Sequence, residues 1–440
     1  MMSQAQFKIC PRKISDLKPF KNNARTHSKK QLEQIAQSIK KFGFNNPVLI
    51  GDDDMIIAGH GRVAAAGLIG MDEVPTLRLS HLSAADRRAY ILADNKLAAN
   101  AGWDNEILAF EMQSLIDLDF DLTLTGFEMV EIDSILDIAA EASADGNGSI
   151  EDQVPEAGAL QVSKPGDIWE LGRHRLMCAD ARERDNVVAI MGGDEADIIF
   201  TDPPYNVRID GHVCGLGKTH HREFAMASGE MSRSEFVNFL TTTLGNASSV
   251  CRDGAIAYVC MDWRHIGEVL EAGTAAFEEF KNLCVWNKNN GGMGAFYRSK
   301  HELVFVFKKG TAQHVNNFGL GDGGRYRTNV WDYPGISGRG GAGADDLAMH
   351  PTVKPVELVA DALKDCSLRG DIVLDIFAGS GSTLIAAEKC GRRARVIEYD
   401  PVYCDTIIRR FAAFTGKQGV LIETGASFDE LESLRAAESA

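Results

Sequence analysis

The chain has 440 residues, 45% of them apolar, and a formal charge of −16; that is enough apolar sequence for about two or three hydrophobic cores. No apolar run reaches the length of a membrane span, the first residues lack the apolar stretch of a secretion signal, and the nine cysteines are scattered without a Cys-x-x-Cys pair. A cytoplasmic, reduced protein without disulfides or structural zinc is expected, and Cys214 beside His220-His221 has too few companions for a metal site. The acidity is unevenly spread: residues 1–50 hold ten Lys/Arg against Asp16 and Glu33, and residues 51–150 hold five basic against nineteen acidic side chains. Residues 281–339 again hold nine basic groups against three acids. A phosphate-facing surface needs only local positive potential, so net acidity does not exclude nucleic acid as a partner.

In chain order, Gln31 to Phe42 places Leu32, Ile35, Ile39 and Phe42 on one face and predicts an amphipathic helix. Pro47–Ile50 and Met55–Ala58 predict paired strands around the acidic turn at residues 51–54. Gly59-His60-Gly61-Arg62 then opens a helix through Val63–Ala66, and Val74–Leu79 is a further strand. Residues 83–141 read as helical, so residues 1–142 form a first, α+β domain with a helical extension. Residues 143–162 are polar and aperiodic, as expected of a linker.

Residues 163–425 alternate strand and helix patterns and predict an α/β domain. It begins with a hairpin from Gly166 to Arg175 and continues with the strands Asp197–Thr201, Ala255–Val259, Leu303–Phe307 and Ile372–Ile376. The first of these apolar runs ends in Asp202-Pro203-Pro204-Tyr205. Two prolines fix the backbone and remove two donors, so the Asp202 carboxylate and the Pro203 carbonyl can both offer acceptors to one planar amine, with the Tyr205 ring as a stacking face. The run Asp375-Ile376-Phe377-Ala378-Gly379-Ser380-Gly381-Ser382-Thr383 reads as strand, Gly turn and helix start, a cradle for a nucleotide-type cofactor. About twenty residues on, a second strand ends in Glu398-Tyr399-Asp400, where a carboxylate can hold a ribose diol. Glycine-rich stretches at 206–233 and 319–346 interrupt the pattern, and Arg325, Arg327 and Arg339 within the second are candidates for target recognition and phosphate contact. Residues 426–440 are charged and read as a frayed tail.

Together the acceptor loop and the Gly loop resemble those of amino-methylating DNA methyltransferases, in the β-class order with the catalytic loop first. The resemblance spans roughly residues 163–415 and implies a Rossmann-like core that uses S-adenosyl-L-methionine on double-stranded DNA, without a metal. It implies cofactor contacts at Asp180 in Cys178-Ala179-Asp180-Ala181, and at Lys354 in His350-Pro351-Thr352-Val353-Lys354-Pro355, which completes the methionine end. It also implies DNA contacts at Lys288 in Trp286-Asn287-Lys288 and at Arg298 and Lys300 in Arg298-Ser299-Lys300-His301-Glu302. The first domain is similar to ParB-like N-terminal domains, whose Gly-x-x-Arg turn binds a nucleotide or DNA phosphate; Gly59, His60, Gly61 and Arg62 match it, without the second arginine common there. The expected partners are therefore DNA, a nucleotide at the N-terminal domain and a second copy of the chain, with no membrane.

The exocyclic amine of adenine is a poor nucleophile because its lone pair is delocalised into the ring. Acceptors at Asp202 and Pro203 free that lone pair, and the base must leave the duplex stack to reach them. The family's Asp-Pro-Pro-Tyr form goes with adenine N6, which is the expected target; cytosine N4 and a ParB-like regulator with an inactive core remain alternatives. Carbon-5 cytosine chemistry needs a nucleophilic cysteine, typically after proline, and no Pro-Cys dipeptide occurs.

Overall fold

The computed structural model describes residues 8–118, 120–143, 150–155, 158, 160–207, 229–288, 297–318, 327–335 and 353–438. They fall into two compact units, Met1–Ala144 and Asp145–Ala440. Among the described residues no helix is long and apolar enough to cross a membrane.

The first unit runs β1 (Ile9–Lys13), α1 (Lys29–Phe42), β2 (Val48–Ile50), β3 (Ile56–Ala58), α2 (His60–Leu68) and β4 (Glu73–Arg78), followed by α3 (Ala84–Ala99), α4 (Asn105–Asp117) and α5 (Met129–Ser143). Ser28 caps α1 by accepting from the Gln31 amide, and Ser83 with Asp86 forms a capping box on α3, so both starts follow from the sequence. The four strands form one sheet in the order β1-β4-β2-β3. Val48, Ile50, Ile56, Ala66 and Val74 make its core, while Met112, Leu122 and Ile132 form a separate cluster that joins α4 to α5.

The second unit contains β5 (Ile168–Leu171), β6 (His174–Cys178), α6 (Arg184–Met191), β7 (Ala196–Thr201), α7 (Arg233–Ser249), β8 (Cys251–Met261), α8 (Ile266–Ala276), β9 (Glu279–Asn287), β10 (His301–Lys308) and β11 (Val330–Asp332). It continues with α9 (Val356–Cys366), β12 (Ile372–Asp375), α10 (Ser382–Lys389), β13 (Arg393–Glu398), α11 (Pro401–Thr415), β14 (Val420–Leu421) and α12 (Phe428–Glu438). One ten-stranded sheet has the order β11-β9-β10-β8-β7-β12-β13-β6-β5-β14. Its centre, β8-β7-β12-β13-β6, is parallel. Such strands are covered on both faces: along β7, Ile198 and Phe200 enter one core while Ala196 and Ile199 enter the other. From β12 the chain crosses to β13 on one side, whereas β7 crosses to β8 on the other, so strand order reverses between β7 and β12. Ligands of open α/β sheets bind at that point, beyond the carboxyl ends of the strands.

Two expectations are corrected by packing. The end of the expected linker belongs to the second core: Val162 is fully buried, and the amides of Val162 and Ser163 donate to the buried Asp405 carboxylate at 2.7 and 2.8 Å. The expected frayed tail is α12, docked through Phe428, which is 2% exposed and lies 5.5 Å from the Trp169 ring.

Candidate active site

Strand polarity gathers the site at one edge of the second sheet. Thr201 of β7 lies beside Val259 of parallel β8, so both strands end at this edge. Antiparallel β10 begins there, with Leu303 beside Met261, and β9 ends there, with Asn287 beside His301. Lys288 and Glu302, from the consecutive strands β9 and β10, are thereby brought to Asp202 at the end of β7, about a hundred residues earlier.

Asp202 is held at both oxygens. Tyr205 Oη donates to its Oδ1 at 2.7 Å, and Lys354 Nζ donates to its Oδ2 at 2.5 Å. Lys354 also lies 3.0 Å from Glu302 Oε2 and 3.2 Å from Tyr205 Oη. Lys288 pairs with the other Glu302 oxygen and sits over the Trp286 ring, 4.3 Å from its centroid. Two carboxylates thus face two ammonium groups in a largely buried cluster, with the Lys354 side chain 5% exposed and Asp202 21%. Burial favours neutral Lys354, but the carboxylates of Asp202 and Glu302 outweigh it and hold the ammonium well above its ordinary range. Burial would raise Glu302 as well; Lys354 and Lys288 prevail and bring it to about 2. For Asp202, burial and the neighbouring Glu302 charge push the carboxyl up against the pull of Lys354.

The Gly loop lies on the adjoining strand. Gly379 and Gly381 have φ of 54° and 87°, the left-handed region, and Gly381 leads directly into α10. The amides of Gly379 and Asp400 donate to Glu398 at 2.8 and 2.9 Å. Burial nonetheless pushes Glu398 up to about 7. Asp375 is buried and accepts from Thr201 Oγ1 at 2.9 Å and the Phe377 amide at 3.0 Å, with its carboxyl raised to about 6 by burial. Asp375 therefore ties β7 to β12 from inside. The hydroxyls of Ser380 and Ser382 also turn inward, to the buried guanidinium of Arg410. Thr383 and Ala378 are buried, and the Phe377 ring packs 5.7 Å from Phe239.

The remaining expected site residues divide. Asp400 caps α11, accepting from the Val402 amide at 3.0 Å, so its carboxylate has a structural partner where a ribose contact was expected. Asp180 is chelated by Arg182, with guanidinium contacts as close as 2.6 Å. Arg327 is corrected outright: it is 17% exposed, lies 2.9 Å from Asp365 and 3.5 Å from Asp361, and stacks on Trp331, so it holds β11 to α9 instead of facing phosphate. Lys354 and Lys288 belong to the ion cluster on Asp202, where cofactor and DNA contacts respectively were expected. Arg298 and Lys300 are exposed. Arg325 and Arg339, like His350-Pro351-Thr352, Cys214 and His220-His221, lie outside the described residues. Glu302 is the residue whose part in the site sequence reasoning missed; in the sequence it stands only at the end of the segment that carries Arg298 and Lys300.

In the first unit Gly59 has φ 102° and starts α2. The Arg62 guanidinium folds back over it, donating to Pro47 O at 3.4 Å, while its buried Nε has no hydrogen-bond partner among the described residues. A Cβ on Gly61 would lie 2.9 Å from the His27 ring, which accounts for glycine there. His60 Nε2 accepts from the Phe20 amide at 3.2 Å, and burial together with His27 lowers its pKa.

Three families match separate parts of the chain. Residues 4–95 match the ParB N-terminal domain, 106–165 the ParB-methyltransferase HTH domain, and 196–409 the DNA methylase family N6_N4_Mtase. The second match covers α4 and α5, which the sequence had marked only as helical, and the expected linker. Among relatives, "ParB-like nuclease domain-containing protein YnaK" of Escherichia coli (strain K12) is 51% identical over 78 residues, 18% of this chain and 90% of that protein. "Type II methyltransferase M2.MboI" of Moraxella bovis is 24% identical over 233 residues, 50% of this chain and 81% of that protein. Among solved structures, the PvuII DNA methyltransferase (cytosine-N4-specific) is 14% identical with a TM-score of 0.42, covering 63% of this chain and 94% of that one. The chain thus joins an N6_N4_Mtase DNA methylase domain to a ParB N-terminal domain and a ParB-methyltransferase HTH domain.

Proposed function

We propose that the protein transfers a methyl group from S-adenosyl-L-methionine to the N6 amine of adenine in double-stranded DNA. The observation that carries this reading is the Asp202 carboxylate, fixed at the open end of β7 one strand away from the left-handed Gly379–Gly381 turn. The donor set fits the cofactor: glycine at 379 and 381 permits close backbone approach, and Glu398 retains lone pairs for ribose hydroxyls after accepting two amides. When bound there, the cofactor supplies an electrophilic methyl group.

The chain's own task is to hold and activate the amine. Asp202 and the Pro203 carbonyl each accept one N–H, which turns the nitrogen lone pair out of conjugation with the ring. Tyr205 provides an aromatic surface for the flipped base, and Asp202 takes up the proton that the methylated nitrogen sheds. Adenine is favoured by the Asp-Pro-Pro-Tyr form of the loop. In the N-terminal unit, the buried Nε of Arg62 beside Gly59, without a hydrogen-bond partner among the described residues, supports a phosphate or nucleotide site that serves DNA loading.

The test is transfer of labelled methyl to unmethylated genomic DNA, followed by nucleoside digestion and mass analysis. N6-methyladenine is expected; N4-methylcytosine would correct the base, and cofactor binding without any labelled nucleoside would point to a regulator with an inactive core. Asp202→Ala should lower transfer by about 100-fold or more while leaving cofactor affinity nearly intact.

A further inference from the structure

Lys354 is too deeply engaged to act as a free hook for a ligand. Its ammonium reaches Asp202, Glu302 and Tyr205 together, at 2.5, 3.0 and 3.2 Å, from a side chain 5% exposed. Beyond it the charges alternate: Lys288, Glu302, Lys354, Asp202. A buried lysine with one carboxylate would neutralise that carboxylate's field, whereas a lysine shared between two leaves each with part of its negative potential. Each Asp202 oxygen also has a second acceptor direction open in principle, since Tyr205 uses one at Oδ1 and Lys354 one at Oδ2.

We propose that Lys354 and Glu302 are positioning residues for methyl transfer: Lys354 fixes the Asp202 carboxylate in the orientation that meets the amine, and Glu302 offsets the lysine's charge so that Asp202 remains an effective acceptor. The inference rests on the reading of Asp202 as the amine acceptor. It replaces the expected role of Lys354 at the methionine end of the cofactor.

The electrostatics give the two residues opposite signatures. The groups facing Asp202 are Tyr205 on its own loop, Lys354 before α9, Glu302 on β10, Cys260 on β8 and Asp375 on β12. Of these, Lys354 pulls the Asp202 carboxyl down and Glu302 pushes it up. Removing the lysine's charge should therefore move the acid limb of the rate profile to higher pH, and removing the glutamate's charge should move it lower. A residue that only supports the fold would not shift the limb in a direction set by its own sign.

The experiment compares wild type, Lys354→Gln, Lys354→Arg and Glu302→Gln in single-turnover methyl transfer across pH, with S-adenosylhomocysteine affinity measured by calorimetry. Lys354→Gln should slow transfer about 30-fold or more at saturating cofactor, with affinity changed less than about threefold and the acid limb raised by about one pH unit. Lys354→Arg should recover most of the rate, and Glu302→Gln should lower the acid limb. Should Lys354→Gln fail to fold by circular dichroism, the near-isosteric Glu302→Gln decides alone, and an unmoved limb overturns the proposal. A Lys354→Gln enzyme that binds S-adenosylhomocysteine more than tenfold more weakly yet transfers at the wild-type rate once saturated would restore the cofactor role. A wild type that binds cofactor but methylates no DNA overturns the acceptor reading and the clamp with it, whereas an active wild type matched by Lys354→Gln overturns the clamp alone.

Discussion

Two turns of this molecule use the same backbone device with opposite linings. In the first unit β3 runs into Gly59 at φ 102° and straight into α2; in the second, β12 leads through Gly379 to Gly381 at φ 87° and into α10. Both place a left-handed glycine directly before the first turn of a helix. Around Gly59 the titratable neighbours include His27, His60 and Arg62, with Asp94 acting on the guanidinium; burial lowers the pKa of His60, which favours its neutral form, so the positive charge of this turn is that of Arg62. Around Gly379 and Gly381 they include Asp375 and Glu398, raised by burial to about 6 and about 7, while the nearby cation Arg410 is buried and spent on Ser380 and Ser382. A cationic lining selects phosphate; an acidic one selects hydroxyl donors such as a ribose. The glycine turn alone decides neither.

The strongest way to break the comparison is to spoil one turn and leave the other. In Gly381→Val the new side chain would adopt a left-handed φ, at about 1–2 kcal/mol for the backbone alone, and its Cβ would sit 3.1 Å from two carbons of Ile407. Calorimetry with S-adenosylhomocysteine should then detect no binding. Gly59→Ala carries the same left-handed strain, at φ 102°, with a Cβ 3.1 Å from the end of the flexible Arg62 side chain, but it lies in the first unit and should leave that affinity unchanged.

A smaller effect is expected when the lining changes and the turn stays. Glu398→Gln removes the charged acceptor, and S-adenosylhomocysteine should bind about tenfold or more less tightly, the loss of one hydrogen bond to a charged group. The same carboxylate predicts a pH dependence. Its pKa of about 7 lies above the ordinary value, so falling pH protonates it and withdraws an acceptor. If the ribose needs the ionised form, wild-type affinity should decline below pH 7 at a slope approaching about tenfold per unit, and Glu398→Gln should be flat over that range. A wild-type profile flat from pH 5.5 to 8 would remove Glu398 from the cofactor site.

Both turns were legible in the sequence because each is local: an apolar run, a glycine, then helical periodicity. The same holds for Asp202-Pro203-Pro204-Tyr205, and the caps at Ser28, Ser83 and Asp400 were written within three residues of the helices they start. What was not legible depends on contacts distant in sequence. Lys354 finds Asp202 across 152 positions, and Glu302 enters the cluster only because antiparallel β10 begins at the edge where β7 ends. Arg327 stood in a glycine-rich basic stretch and was read as a phosphate contact; its acids, Asp361 and Asp365, come from a helix some thirty-five residues later. The tail looked frayed because α12 has few apolar residues, yet Phe428 and Leu431 suffice to seat it on the core. Charge balance across a sheet edge has no local signature.

The smallest effect on methyl transfer, and the one that separates the two units, is expected from Arg62→Ala. Among the described residues the guanidinium has one long bond to Pro47 O, an Nε without a hydrogen-bond partner and the attraction of Asp94, so its removal should cost the fold little and takes away the charged group best placed for phosphate at Gly59. Transfer to a short duplex holding one target should match wild type, because Asp202, Lys354, Glu302 and the Gly379–Gly381 turn all lie in the second unit. Binding of a labelled nucleoside triphosphate, or loading onto long DNA, should fall by about tenfold or more, as for a lost charge-assisted contact to phosphate. Unchanged nucleotide binding and DNA loading would make the cationic lining of the first turn structural. A collapse of turnover on the short duplex would show instead that the N-terminal unit contributes to the chemistry, and the division of labour between the two linings would not stand.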